Sequence, residues 1–168
     1  MKDTVNLLNL TQESLNNFFA ELGEKPYRTK QFMQWVYHKD QLDFNQMLNL
    51  SKGLREKLSE VATLELPNIA KQIFSLDGVI KWVIDLGQNN HIETVYIPEK
   101  DRGTLCISSQ VGCALACTFC STGAQGFNRN LTTAEIIGQV MVVQLYLSNK
   151  GKRVSNVVFM GMGEPLLN

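Results

Sequence analysis

Cys113-Ala-Leu-Ala-Cys117-Thr-Phe-Cys120 sets three thiols three and then two residues apart on one loop-like stretch. Thiolates are soft ligands, and three on so short a loop can each bind one iron of a cubane 4Fe-4S cluster. The fourth iron would have no protein ligand and would be open to a small molecule that chelates through an amine and a carboxylate. A structural disulfide set fits poorly, because all four cysteines lie between Cys106 and Cys120. Zinc with Cys106 as fourth ligand remains an alternative, although structural zinc loops usually present two separated short-spaced pairs. Unliganded buried cysteines are the third reading, against which the regular spacing argues.

Composition narrows the setting. At 168 residues the chain has room for one domain or two small ones, and 44% hydrophobic with 19% charged residues is an ordinary globular balance. No apolar run reaches the ~18 residues of a membrane helix, so no membrane partner is expected. The amino terminus, Met1-Lys-Asp-Thr-Val-Asn, lacks the layout of a secretory signal, which leaves a reducing cytoplasm as the expected compartment. Sixteen basic and sixteen acidic residues cancel. Affinity for nucleic acid rests on phosphate neutralisation, so net charge gives no global support for an RNA partner.

The elements that must position the cysteines follow from periodicity. Thr11 to Leu22 reads as a helix with Leu15, Phe18, Phe19 and Leu22 on one face, stopped at Gly23. A second helix follows Pro26 and carries Phe32, Trp35 and Val36, with Lys25, Tyr27, Arg28 and Lys30 at its start. That cluster reads as a solvated helix start, with an RNA contact as the alternative. A helical turn spans Asp43 to Leu50, and Ser51 caps a third helix to Val61. After Pro67, two strand-like runs flank Ser75-Leu-Asp77-Gly78, and His91 to Pro98 forms a third. Glu93 is one acid in that third run. Thr104 to Ser109 reads as a strand, Thr132 and Glu135 as a capping box opening a helix to about Ser148, and Val154 to Met160 as an apolar strand suited to a buried parallel sheet. Strand, loop, helix and strand make one βαβ unit, whose ligands belong at the carboxyl ends of its strands. The cysteine loop and Gly161-Met-Gly163-Glu164 both fall at that edge.

With Phe119 before the last cysteine, the C-x3-C-x2-C spacing resembles the signature of radical S-adenosylmethionine enzymes. The likeness extends to Gly23-Glu-Lys-Pro-Tyr-Arg, Glu93-Thr-Val-Tyr-Ile-Pro98, Cys106 to Cys113, Cys120-Ser-Thr-Gly, Gly126-Phe-Asn-Arg-Asn-Leu and Gly161 to Asn168. Together these resemble the radical S-adenosylmethionine RNA (adenine-C2) methyltransferases, which act on 23S rRNA and tRNA. The resemblance implies an α/β protein: a helical plus antiparallel β accessory part, then the first βαβ unit of a partial (β/α)6 barrel. The expected divisions are 1–62, a helical RNA-contacting domain; 63–98, a small antiparallel β region; and 99–168, a truncated radical core.

By the same resemblance, Cys113, Cys117 and Cys120 ligate the 4Fe-4S cluster, and Gly163 and Glu164 hold the methionyl end of S-adenosylmethionine. Glu93 matches the proton acceptor, and Cys106 the cysteine that releases a covalent protein-RNA intermediate through a transient disulfide. An electron donor such as flavodoxin is implied. In the family, carbon 2 of adenine, which is not nucleophilic, is attacked by a carbon radical generated on a methylated second cysteine. That cysteine lies far downstream, and none follows Cys120 here. The chain is therefore expected to be a truncated piece that cannot complete methylation alone. A C8-methylating relative and a non-catalytic RNA- or metal-binding fragment are the alternatives.

Overall fold

A computed structural model describes residues 4–168. They divide into two compact units, one running to Glu65 and the other from Leu66 to Asn168.

The first unit is a short parallel pair, β1 (Val5–Asn6) with β2 (Ala62–Thr63), and three helices: α1 (Gln12–Glu21), α2 (Tyr27–His38) and α3 (Lys52–Val61). Thr11 Oγ1 accepts the Ser14 N–H at 3.2 Å and Ser51 Oγ accepts the Leu54 N–H at 3.3 Å, so both expected caps satisfy amides a helix start leaves free. Phe19, Phe32 and Phe44 stack through the interior, with ring centroids 5.5 Å and 6.4 Å apart along the series. The basic cluster at the start of α2 has a structural use. Arg28 donates to Glu24, Gln31 and the Asn49 carbonyl and lies 4.9 Å from the Tyr27 ring centre.

The second unit is built on a five-stranded sheet in the order β3-β4-β5-β6-β9. Its antiparallel strands are β3 (Asn68–Phe74), β4 (Ile80–Asp85), β5 (His91–Pro98) and β6 (Gly103–Cys106). β7 (Gln110–Gly112) pairs with β8 (Phe127–Asn130), and α4 (Ser121–Ala124) lies between them. α5 (Thr133–Ser148) then leads to β9 (Asn156–Val158), which joins β6 in parallel. This is the expected βαβ unit, and it shares one sheet with the antiparallel strands. α5 starts with the full capping box, Thr132 accepting the Glu135 N–H and Glu135 accepting the Thr132 N–H.

One face of the sheet is closed. Trp82, Ile84, Ile92, Tyr96 and Leu105 point at α5 and bury against Val143 and Leu147, with Tyr146 edge-on to Trp82. Alternation along β4 and β5 leaves the neighbouring residues, Lys81 and Glu93 among them, on the other face.

Two strands are shorter than their sequence suggests. β6 stops at Cys106 because Ser108 leaves the ladder: its N–H goes to Gln139 Oε1 (2.8 Å) and its Oγ donates to the Glu93 carbonyl (2.7 Å). The apolar run from Val154 contributes only Asn156–Val158, at the sheet edge, and Val157, Phe159 and Met160 are exposed rather than buried.

Candidate metal centre and cofactor edge

The β7–β8 pair, which periodicity did not suggest, is the frame of the cysteine loop. Its rungs run from Gln110↔Asn130 to Gly112↔Phe127, and the Cys113 N–H closes the loop on the Gly126 carbonyl at 3.0 Å. Within it, the Cys120 N–H bonds the Cys117 carbonyl (3.1 Å), and Ala116 takes a left-handed φ of 47°. Gly123 of α4 packs so closely that a Cβ there would sit 2.7 Å from the Cys117 carbonyl oxygen. The loop backbone is thus held to one turn by its ends and its middle.

Cys106, Cys113, Cys117 and Cys120 are all free thiols of intermediate burial. Hydrogen bonding from the Gly123 N–H, and then from that of Thr122, holds the Cys120 thiol below the ordinary cysteine range. Burial pushes the Cys106 thiol up. The donor set suits a soft metal cluster: three unpaired, partly accessible thiols, one biased toward the thiolate. Among the described residues, however, no three His, Cys, Asp or Glu side chains already converge as a metal site. The structure carries the three cysteines on one loop without drawing their side chains to a common point.

Gly161 to Glu164 runs directly beside the entry to that loop. The Gly161 N–H bonds the Ile107 carbonyl (3.0 Å), and the Ser109 and Gln110 N–H groups converge on the Met162 carbonyl at 2.8 Å and 3.3 Å. Met162 N–H donates to Ser108 Oγ at 2.9 Å. Parallel pairing therefore continues, irregularly, past the ends of β6 and β9. Gly163 has φ +97°, and a Cβ on it would lie 2.6 Å from the Gln110 backbone nitrogen, so both conformation and space require glycine there. The Ser109 hydroxyl, buried beside it, has no hydrogen-bond partner. The Glu164 carboxylate is engaged locally, accepting the Leu166 N–H at 3.0 Å to cap the turn Pro165–Leu167.

Glu93 and Cys106 share the sheet face away from α5. Register places Val95 opposite Cys106, so Glu93 is the next position on that face along β5. Glu93 is ion-paired to Lys81 at 2.9 Å and about half exposed. With Val83, Ile92 and Met162, and with Ser121 and Thr122 just beyond Cys120, it lines an open cavity of about 390 Å3. Glu93, the trailing end of the cysteine loop and the Gly161 segment thus border one space.

Three polar residues escaped notice in the sequence. Gln139, in the apolar run of α5, is wholly buried and bonds Thr94, the Ser108 N–H and carbonyl, and the Glu135 carbonyl. Ser108 and Gln110 are likewise fully buried. An amide flanked by apolar helix positions was the available signal for Gln139; its partners lie too far along the chain for periodicity to name.

Residues 5–64 match the family model described as Ribosomal RNA large subunit methyltransferase N-terminal domain. Over 163 residues, 97% of the chain, it is 69% identical to "Dual-specificity RNA methyltransferase RlmN" of Ruthia magnifica subsp. Calyptogena magnifica. It is 68% identical over the same length to the protein of that name in Vesicomyosocius okutanii subsp. Calyptogena okutanii (strain HA). The chain belongs to the RlmN family, as a part of such a protein. It spans 46% of the length of these RlmN relatives. Its fold matches the crystal structure of a radical SAM methyltransferase from Sphaerobacter thermophilus with TM-score 0.85 and 37% identity, over 98% of this chain and 48% of that one. The mixed helix-and-sheet architecture read from the sequence therefore matches about half of a radical SAM methyltransferase. The described residues contain no helix long and apolar enough to cross a membrane.

Proposed function

We propose that this chain supplies the cofactor-binding edge of a cytoplasmic radical S-adenosylmethionine RNA methyltransferase acting on C2 of adenosine in 23S rRNA and tRNA. Cys113, Cys117 and Cys120 hold a 4Fe-4S cluster, and Gly163 and Glu164 receive the methionyl end of S-adenosylmethionine. Bound there and reduced by a flavodoxin-type donor, such a cluster would supply the electron needed to cleave the sulfonium.

The observation that carries this reading is the junction itself. The loop bearing three free thiols and the Gly161–Glu164 turn leave adjacent parallel strands at their carboxyl ends and are joined by the Ser109 and Gln110 amides on one Met162 carbonyl. Ligands of open α/β sheets bind at that end. To hold a cluster the thiols must turn toward one another; all three are free and only partly buried.

Glu93 takes the proton from adenine C2. It borders the cavity next to the cysteine loop and is ion-paired to Lys81 at 2.9 Å. Cys106, on the same face, is the residue whose thiolate would break the link between RNA and protein by forming a disulfide with the sulfur of the methyl-carrying cysteine; burial pushes its thiol up.

Anaerobic reconstitution with iron and sulfide tests the metal assignment. The chain should take up about four iron atoms with sulfide-to-iron absorption in the visible, and Cys117→Ala should abolish both. Zinc in place of iron, or undiminished uptake by Cys117→Ala, would refute it.

A further inference from the structure

We infer that Gln110 is a positioning residue that couples the cysteine loop to the S-adenosylmethionine segment, fixing the cluster ligands relative to the methionyl pocket. The inference rests on the cofactor reading above. One oxygen, Gln110 Oε1, accepts the Ala114 N–H at 3.2 Å and the Glu164 N–H at 3.1 Å. Ala114 follows the first cluster cysteine directly, and Glu164 is the proposed contact to the methionyl group. The two amides are fifty positions apart in sequence (164 − 114) and meet on a single atom.

The other end of the side chain is fixed. Gln110 Nε2 donates to Asn130 Oδ1 at 2.9 Å, across the first rung of β7 with β8. Asn130 Nδ2 in turn donates to the Leu167 carbonyl at 3.3 Å. Gln110 has no solvent exposure, so its acceptor oxygen is fixed by the packing around it. Its backbone adds a third tie, the N–H that bonds the Met162 carbonyl. A side chain without an acceptor oxygen at this position leaves the Ala114 and Glu164 amides without this partner and the two segments free to separate.

The test compares Gln110→Met, which keeps length but accepts nothing, with Gln110→Glu, which keeps an acceptor oxygen and can be met by rotation of the Asn130 amide. In the iron-free 168-residue chain, amide hydrogen exchange followed by NMR should show Ala114 and Glu164 exchanging about tenfold faster or more in Gln110→Met, both staying protected in Gln110→Glu. After reconstitution, Gln110→Met should retain wild-type iron content, since all three cysteines remain. Its dissociation constant for S-adenosylmethionine should rise about tenfold or more, and Gln110→Glu should return it to within about threefold of wild type.

Unchanged exchange, or unchanged S-adenosylmethionine affinity in Gln110→Met, would overturn the inference, as would equal damage in Gln110→Glu. If the wild-type chain takes up no iron, the cluster reading fails, while the exchange comparison still decides whether Gln110 ties the two segments.

Discussion

The two faces of the five-stranded sheet are made by the same strands and serve opposite ends. Toward α5, Trp82, Ile84, Ile92 and Leu105 are wholly buried among apolar neighbours. On the reverse, one residue along, Lys81, Glu93 and Cys106 remain partly accessible, and Glu93 lines an open cavity. The period-two alternation of a strand makes this possible: each backbone segment contributes to stability through one set of side chains and offers chemistry through the other. The difference teaches where substitutions should be felt as unfolding and where as lost function.

The sharpest way to test that division is to compare Trp82→Ala with Cys106→Ala, residues of one sheet on opposite faces. Trp82→Ala should destabilise by about 3–5 kcal/mol in chemical denaturation, through lost transfer energy and the cavity left behind. Cys106→Ala should change stability by less than about 1 kcal/mol. Comparable losses at the two positions would mean that the open face is not open.

The polar seam between the faces should come next. Gln139→Ala removes the acceptor for Thr94 and the Ser108 N–H and should cost about 2–3 kcal/mol, since each buried group left unpaired carries a penalty of about 1–3 kcal/mol. Because Ser108 also holds the Met162 N–H, exchange at Met162 should quicken in the same variant. An unaffected Met162 amide would show that α5 does not support the cofactor edge.

Glu135 should show a smaller, pH-dependent effect. Burial raises its carboxyl, but the Arg129 hydrogen bonds and the Thr132 amide outweigh it, and the net direction is down. A carboxylate depressed in the folded state stabilises above its unfolded value, about 4.3, and that contribution is lost as pH falls through the lower folded value. Glu135→Gln should therefore lower stability by about 1 kcal/mol at pH 7 and by progressively less below about pH 4, as followed by thermal melts across pH. A difference that persists at the acid end would contradict this. Smallest of all, Lys81→Met should alter stability by less than about 0.5 kcal/mol, because the Lys81–Glu93 pair is solvent-exposed.

What the sequence made legible was local. Thr11, Ser51 and the Thr132–Glu135 box announced helix starts because a cap is a contact between residues three apart. Asp77-Gly78 announced a hairpin for the same reason, with Gly78 at positive φ. The cysteine spacing pointed to one loop, and the βαβ reading set that loop beside the Gly161 turn. Contacts that join distant segments stayed hidden. Nothing in Gln110-Val-Gly announces pairing with Phe127–Asn130, and nothing near Gln139 names Thr94 or Ser108 as partners. The apolar run after Val154 signalled burial by its composition, and it was the resemblance, with only the first βαβ unit of a barrel in this chain, that implied an unpaired edge there, where Val157 and Phe159 are exposed.

The central claim is that the cysteine loop and the Gly161–Glu164 turn form one cofactor site. Electron paramagnetic resonance of the reconstituted, reduced chain, recorded without and with S-adenosylmethionine, tests it most directly. A reduced 4Fe-4S signal whose g-values and line shape change on adding S-adenosylmethionine is the predicted result, because the ligand would reach an iron that no cysteine holds. A cluster signal identical in both samples would mean that the two segments, though hydrogen-bonded neighbours, do not make a common site.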